Sequence, residues 1–123
     1  MPPINVHDHA DRLVFEPEGV LSVEDVIAAI WEHYEKAAGR PVMWLLPYGS
    51  VEALSLDDFN RIAAISRKVI PPEGRAKTAL VVPDAAGFVK MCKYLNAALA
   101  TGIPVEYAVF NSEAAALKWL GQR

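Results

Sequence analysis

Cysteine is almost missing from this sequence: Cys92 stands alone in 123 residues. No internal disulfide can form, and the expected address is a reducing cytoplasm. Long hydrophobic runs are missing too. Stretches such as "VMWLL" (42–46) fall far short of the roughly 20 apolar residues of a membrane span. The opening "MPPINVHDHAD" has neither the basic start nor the apolar middle of a secretory leader. Neither G-x-S-x-G nor a glycine-rich phosphate loop occurs, which leaves nucleophilic and nucleotide chemistry without a motif. Asp and Glu are plentiful, yet none is marked as a buried acid–base pair. Cys92 falls on the inner stripe of a predicted helix, where a thiol acts as a small hydrophobe. The expectation is a protein without catalytic machinery, and no residue pattern calls for a cofactor.

What is present describes a folded chain. Hydrophobic residues make up 53% and charged residues 22%, enough to build one sizeable core and too apolar for disorder. Seven glycines and nine prolines punctuate at short intervals, with no repeat or long linker, so residues 1–123 are expected to form a single domain. The net charge of −3 is uneven: residues 1–60 hold eleven acids against three bases, and residues 61–123 hold nine bases against four acids. Such polarity suits head-to-tail docking or an anionic partner, although charges on exposed helices are ordinarily just solvated. At pI 5.6, with no interleaved basic and aromatic tract, nucleic acid is not an expected partner.

Periodicity supplies the elements. "INV" (4–6) and "LVFE" (13–16) read as strands of a hairpin around the polar "HDHAD". The next stretch is a helix with Ser22 as N-cap and Asp25 in capping-box position. Its apolar face is Val23, Val26, Ile27, Ile30, Trp31 and Tyr34, and Gly39 and Pro41 end it. "VMWLL" lacks alternation and reads as a central strand covered on both faces. A second helix spans about 55–68, with Leu56, Phe59, Ile62, Ala63 and Val69 inward, and "IPPEG" (70–74) closes it. "KTALVV" (77–82) is another buried strand. A third helix follows to about Thr101 with Phe88, Met91, Cys92, Leu95 and Leu99 inward, ended by "GIP" (102–104). "VEYAVF" (105–110) is the last strand and "SEAAALKWL" (112–120), capped by Ser112, the last helix. The order ββαβαβαβα predicts an α/β fold: a mixed, mostly parallel five-stranded sheet packed with four helices, its first strand an antiparallel edge.

Three stretches, "RLVFEPEGVLSVEDV" (12–26), "RAKTALVVPDAAGFVKM" (75–91) and "VEYAVFNSEAAALKWL" (105–120), in this element order, resemble the STAS/SpoIIAA-like superfamily. More narrowly the chain is similar to bacterial STAS/SEC14-type proteins, most of which have no assigned function. The resemblance covers nearly the whole chain and implies the SpoIIAA-like fold. It implies a non-catalytic binding or regulatory module whose ligand is an apolar small molecule or lipid, or whose partner is a protein or a second copy in a homodimer. The alternative it raises is a phosphorylation-switched anti-sigma-factor antagonist. In such antagonists a D-S-[ST]-G-type loop after the third strand carries the phosphorylated residue. Here the matching stretch is "VEALSLDD", with Ser55 as candidate phosphosite, but Leu54 replaces the aspartate and no glycine follows. Ser55 and Asp58 instead spell a capping box, and a phosphate on Ser55 would meet Asp57 and Asp58. "DAAG" (84–87) is the same pattern without hydroxyls, after the fourth strand, and reads as a helix start with Gly87 allowing close packing.

Large apolar side chains are many for this length. Trp44, Tyr48, Phe59, Phe88, Met91 and Tyr94 are the candidate lining of an apolar groove between helices and sheet. Core filling with a modest interface is the favoured account of the same residues, since aromatics are ordinarily core residues. His7 and His9 are spaced to point the same way from a strand and are weak candidates for a metal; a zinc site would still lack third and fourth ligands. His33 is expected to be a solvated helix residue.

Overall fold

The structure is a computed structural model that describes residues 4–37, 40–69, 76–100 and 105–121. Its elements run β1 (Ile4–Asp8), β2 (Leu13–Pro17), α1 (Val23–Ala37), β3 (Val42–Leu45), α2 (Leu56–Val69), β4 (Ala76–Val81), α3 (Ala85–Leu99), β5 (Val105–Phe110) and α4 (Glu113–Leu120). The α/β architecture, the order and the element types match those expected, with ends displaced by one or two residues. The helix-ending signals at Gly39, 70–74 and 102–104, and Thr101, lie outside the described residues.

The five strands form one sheet in the order β1-β2-β3-β4-β5. β1 is antiparallel to β2 at one edge, and every other pair is parallel. Each crossover joins neighbouring strands in chain order, so same-handed connections put α1, α2 and α3 on one face. They share a large core with Phe15, Val42, Trp44, Leu80 and Val82. α4 returns over the other face, where Ala116 and Leu120 pack on Val14, Met43, Ala79 and Val81. The strand order never reverses, so the sheet lacks the switch-point crevice in which doubly wound folds bind nucleotides.

Side chains cap the helix starts, at Ser22 and Ser112 as expected and also at Asp84. Asp25 N–H donates to Ser22 Oγ at 3.2 Å, Gly87 N–H to Asp84 Oδ2 at 2.8 Å, and Ala115 N–H to Ser112 Oγ at 3.3 Å. Gly87 is buried, and a Cβ there would stand 2.7 Å from Asp84 Oδ2 and 2.8 Å from Val82 Cγ1. Only a glycine lets α3 come this close to the end of β4. On α4, Trp119 packs on Phe110 at 5.6 Å between ring centres. Lys77 reaches across to donate to the Trp119 carbonyl at 3.0 Å.

Three expected positions shift. Trp31 is 52% exposed and Leu56 41%. Trp31 sits at the margin of its apolar stripe and Leu56 in the first helical position, so the sheet reaches neither. His33, expected in solvent, lies edge-on against Phe15 at 5.8 Å and shields that ring.

Candidate functional site

Between the sheet and the three helices lies a slot of about 50 Å³. Its floor is Trp44, Leu80, Thr78 and Tyr107. The walls come from Val26, Ile30 and Tyr34 of α1, Phe59, Ile62, Ala63 and Ser66 of α2, and Met91 of α3. Leu21, Leu46, Val51 and Leu54 close it at the carboxyl ends of the strands. The β4 register sets its direction. Thr78, near the amino end of β4, pairs with Val42 and Tyr107, whereas Leu80 pairs with Trp44 and Val109. α2 runs antiparallel to the strands, so Ser66 arrives at the same end as Thr78 and Tyr107. One end of the slot is therefore hydroxyl-bearing and the other wholly apolar.

The polar end is bonded, not loose. Trp44 Nε1–H donates to Tyr34 Oη at 2.9 Å, and the Tyr107 hydroxyl is hydrogen-bonded with Ser66. Burial pushes Tyr107 up to about 12, offset in part by Ser66. Burial drives Tyr34 further above its ordinary value; the nearby Tyr107 adds to this, and the bond from Trp44 works against it. Both phenols are thus neutral hydrogen-bonding groups at neutral pH, unable to serve as bases. No Asp, Glu, His, Lys, Arg or Cys is among the described residues lining the slot. Apolar side chains and the hydroxyls of Tyr34, Ser66, Thr78 and Tyr107 make up its lining.

The segment 47–55, which closes the apolar end, is fastened by Leu21 and by two side chains of α3. Leu21 N–H donates to the Ser50 carbonyl at 2.7 Å. Lys90 Nζ donates to the Val51 and Glu52 carbonyls, each at 3.0 Å, and Tyr94 Oη to the Leu54 carbonyl at 3.0 Å. Within the segment, successive turns bond Ser50 N–H to Pro47 O and Leu54 N–H to Val51 O. Gly49 takes φ +77°, the left-handed conformation that a glycine accepts without strain. Val51 and Leu54 point inward and are buried.

Of the six candidate groove residues, Trp44, Phe59 and Met91 line the slot. Tyr94 stands beside it, its ring 5.3 Å from that of Phe59, and Phe88 packs half-buried against the same core. Tyr48 does not join them: it is 75% exposed on the closing segment, because Pro47 and Gly49 turn the chain outward there. Sequence reasoning missed Ser66, Thr78, Tyr107 and Tyr34 as a set. A signal existed: Ser66 lies three and seven residues after Ala63 and Phe59, a hydroxyl on an otherwise apolar stripe.

Ser55 forms both halves of a capping box. Asp58 N–H donates to Ser55 Oγ and Ser55 N–H to Asp58 Oδ2, each at 3.1 Å. His7 Nε2 lies 3.3 Å from Glu16 Oε1, and the backbone N–H of His9 donates to the Arg12 carbonyl at 3.0 Å. Arg40 donates to Asp8 and to the His9 carbonyl, and this guanidinium holds the Asp8 carboxyl below its ordinary value. Among the described residues no three His, Cys, Asp or Glu side chains gather as metal ligands. No described helix is long and apolar enough to cross a membrane.

A second hollow, of about 240 Å³, opens on the opposite face at the carboxyl ends of the strands. It has Leu45, Pro47, Val81 and Pro83 below and Glu16 and Glu113 at its rim. It is shallow and shares no lining with the polar end of the slot. No protein-family model matches the chain, and no curated protein matches it. The class defined by fold and site is thus an α/β domain with a mixed five-stranded sheet and an uncharged interior slot.

Proposed function

We propose that this chain is a non-catalytic binding module of the SpoIIAA-like, STAS/SEC14-type kind, and that the slot beneath α2 is where its ligand goes. The observation that carries the reading is the slot's lining: apolar side chains and hydroxyls, with no ionisable group among the described residues other than two phenols whose ionisation burial opposes. Interiors are otherwise packed close to crystal density. An unfilled space of about 50 Å³ costs about 1 kcal/mol at the usual rate for residual cavities, a cost a bound molecule would remove.

Size constrains the ligand. The slot is a third of the roughly 150 Å³ that holds a benzene ring, so a full-length lipid enters only if α2 moves off the sheet. The switch reading at Ser55 draws less support. Its hydroxyl is already engaged by Asp58, and a phosphate there would face that carboxylate across a helix start. Native mass spectrometry of freshly purified protein, followed by denaturing extraction, tests the binding reading. A small neutral adduct released on unfolding is the expected result. Bare protein that also binds nothing from a panel of small apolar molecules would contradict it.

A further inference from the structure

Resting on that reading, we infer the class of ligand: a small uncharged molecule with an apolar body and one oxygen, lying with the oxygen at Ser66, Thr78 and Tyr107. Three observations carry this. The slot is asymmetric: its hydroxyls gather at the amino ends of β4 and β5, while Leu46, Val51, Leu54 and Phe59 make the other end wholly apolar. Ser66 and Thr78 are each almost fully buried. A hydroxyl is one donor and two acceptors, so the Ser66–Tyr107 bond leaves capacity on both partners for one more group. Among the described residues no charged side chain lines the space, and a carboxylate or ammonium brought there would lose its hydration without a counter-charge. That excludes charged ligands. A hydrocarbon would leave the hydroxyl capacity unused. A neutral alcohol, or a carbonyl compound of similar size, satisfies both ends. At rest the volume admits only a few heavy atoms, and any longer chain extends toward Phe59 and Leu54 by displacing α2.

The test uses two near-isosteric probes, 1-propanol and n-butane, titrated into the full chain and followed by amide chemical shifts in two-dimensional NMR. Both are expected to shift amides around the slot, and only 1-propanol should give contacts from its carbinol protons to Thr78 and Tyr107. Ser66→Ala and Thr78→Val, conservative in volume, are expected to weaken 1-propanol about tenfold, as loss of one buried hydrogen bond implies, and to leave butane unchanged. Ala63→Val, which fills the slot with two methyl groups while keeping the helix, should abolish binding of both. If both probes bind and the hydroxyl variants change neither, the polar end is purely structural. The ligand class is then wrong while the slot reading stands. If neither probe shifts the slot amides, both readings fall.

Discussion

Tyr107 shows how much one side chain decides. Its strand position alone reads as ordinary alternation, and nothing in "VEYAVF" announces that its hydroxyl meets Ser66 under α2. The pairing depends on the β4–β5 register and on the height of α2 above the sheet, both long-range facts. Its consequence is a pH dependence with a definite sign. In the unfolded chain the phenol returns to about 10, whereas in the fold it is pushed up to about 12. The stability it contributes is complete below pH 10 and is lost as pH rises through 12, at no more than about 1.4 kcal/mol per pH unit. Urea unfolding between pH 9 and 12 should therefore fall less steeply for Tyr107→Phe than for the parent chain. Equal slopes would mean that the hydroxyl is solvated in the fold. Other single positions were legible directly. Gly87 was expected to permit close packing, and the 2.7 Å and 2.8 Å contacts a Cβ would make there give the reason. Trp31 and Leu56 were not legible, since a helical stripe specifies a direction but not how far the sheet extends beneath it.

At the scale of elements, local chemistry did most of the work. Caps at Ser22, Ser55, Asp84 and Ser112 mark the four helix starts, and all four rest on contacts within three residues, which a sequence can show. α2 carries Asp57 and Asp58 in its first turn, and its cap sits at the end of the segment that closes the slot. Ser55→Ala is expected to cost about 0.5–2 kcal/mol, read as a melting temperature lower by roughly 2–8 °C. Asp58→Ala should cost a similar amount. The double variant should cost less than the sum, since the two side chains serve one reciprocal pair. Full additivity in thermal melts would show that the box is not a unit. What the sequence did not reveal at this scale is how the segment 47–55 is held. Lys90 and Tyr94 fasten it from nearly 40 residues away, and no local pattern encodes such a contact.

For the whole molecule, the α/β layering followed from the alternation of strands and helices, and the antiparallel edge from the opening hairpin. The sequential strand order places all three crossover helices on one face, and α4 packs on the other. The slot is a product of that arrangement. Six aromatic or large apolar residues were candidates for its lining, and three line it. The hydroxyls at its far end come from α2, β4 and β5 and meet only when the sheet is assembled. The proposed function requires that this space admit a molecule. Crystals of the chain held under xenon pressure provide the most direct measurement. Xenon density is expected between α2 and the sheet, in van der Waals reach of Phe59, Ala63, Leu80 and Met91. Those four side chains packed against one another, with no xenon among them, would contradict the account.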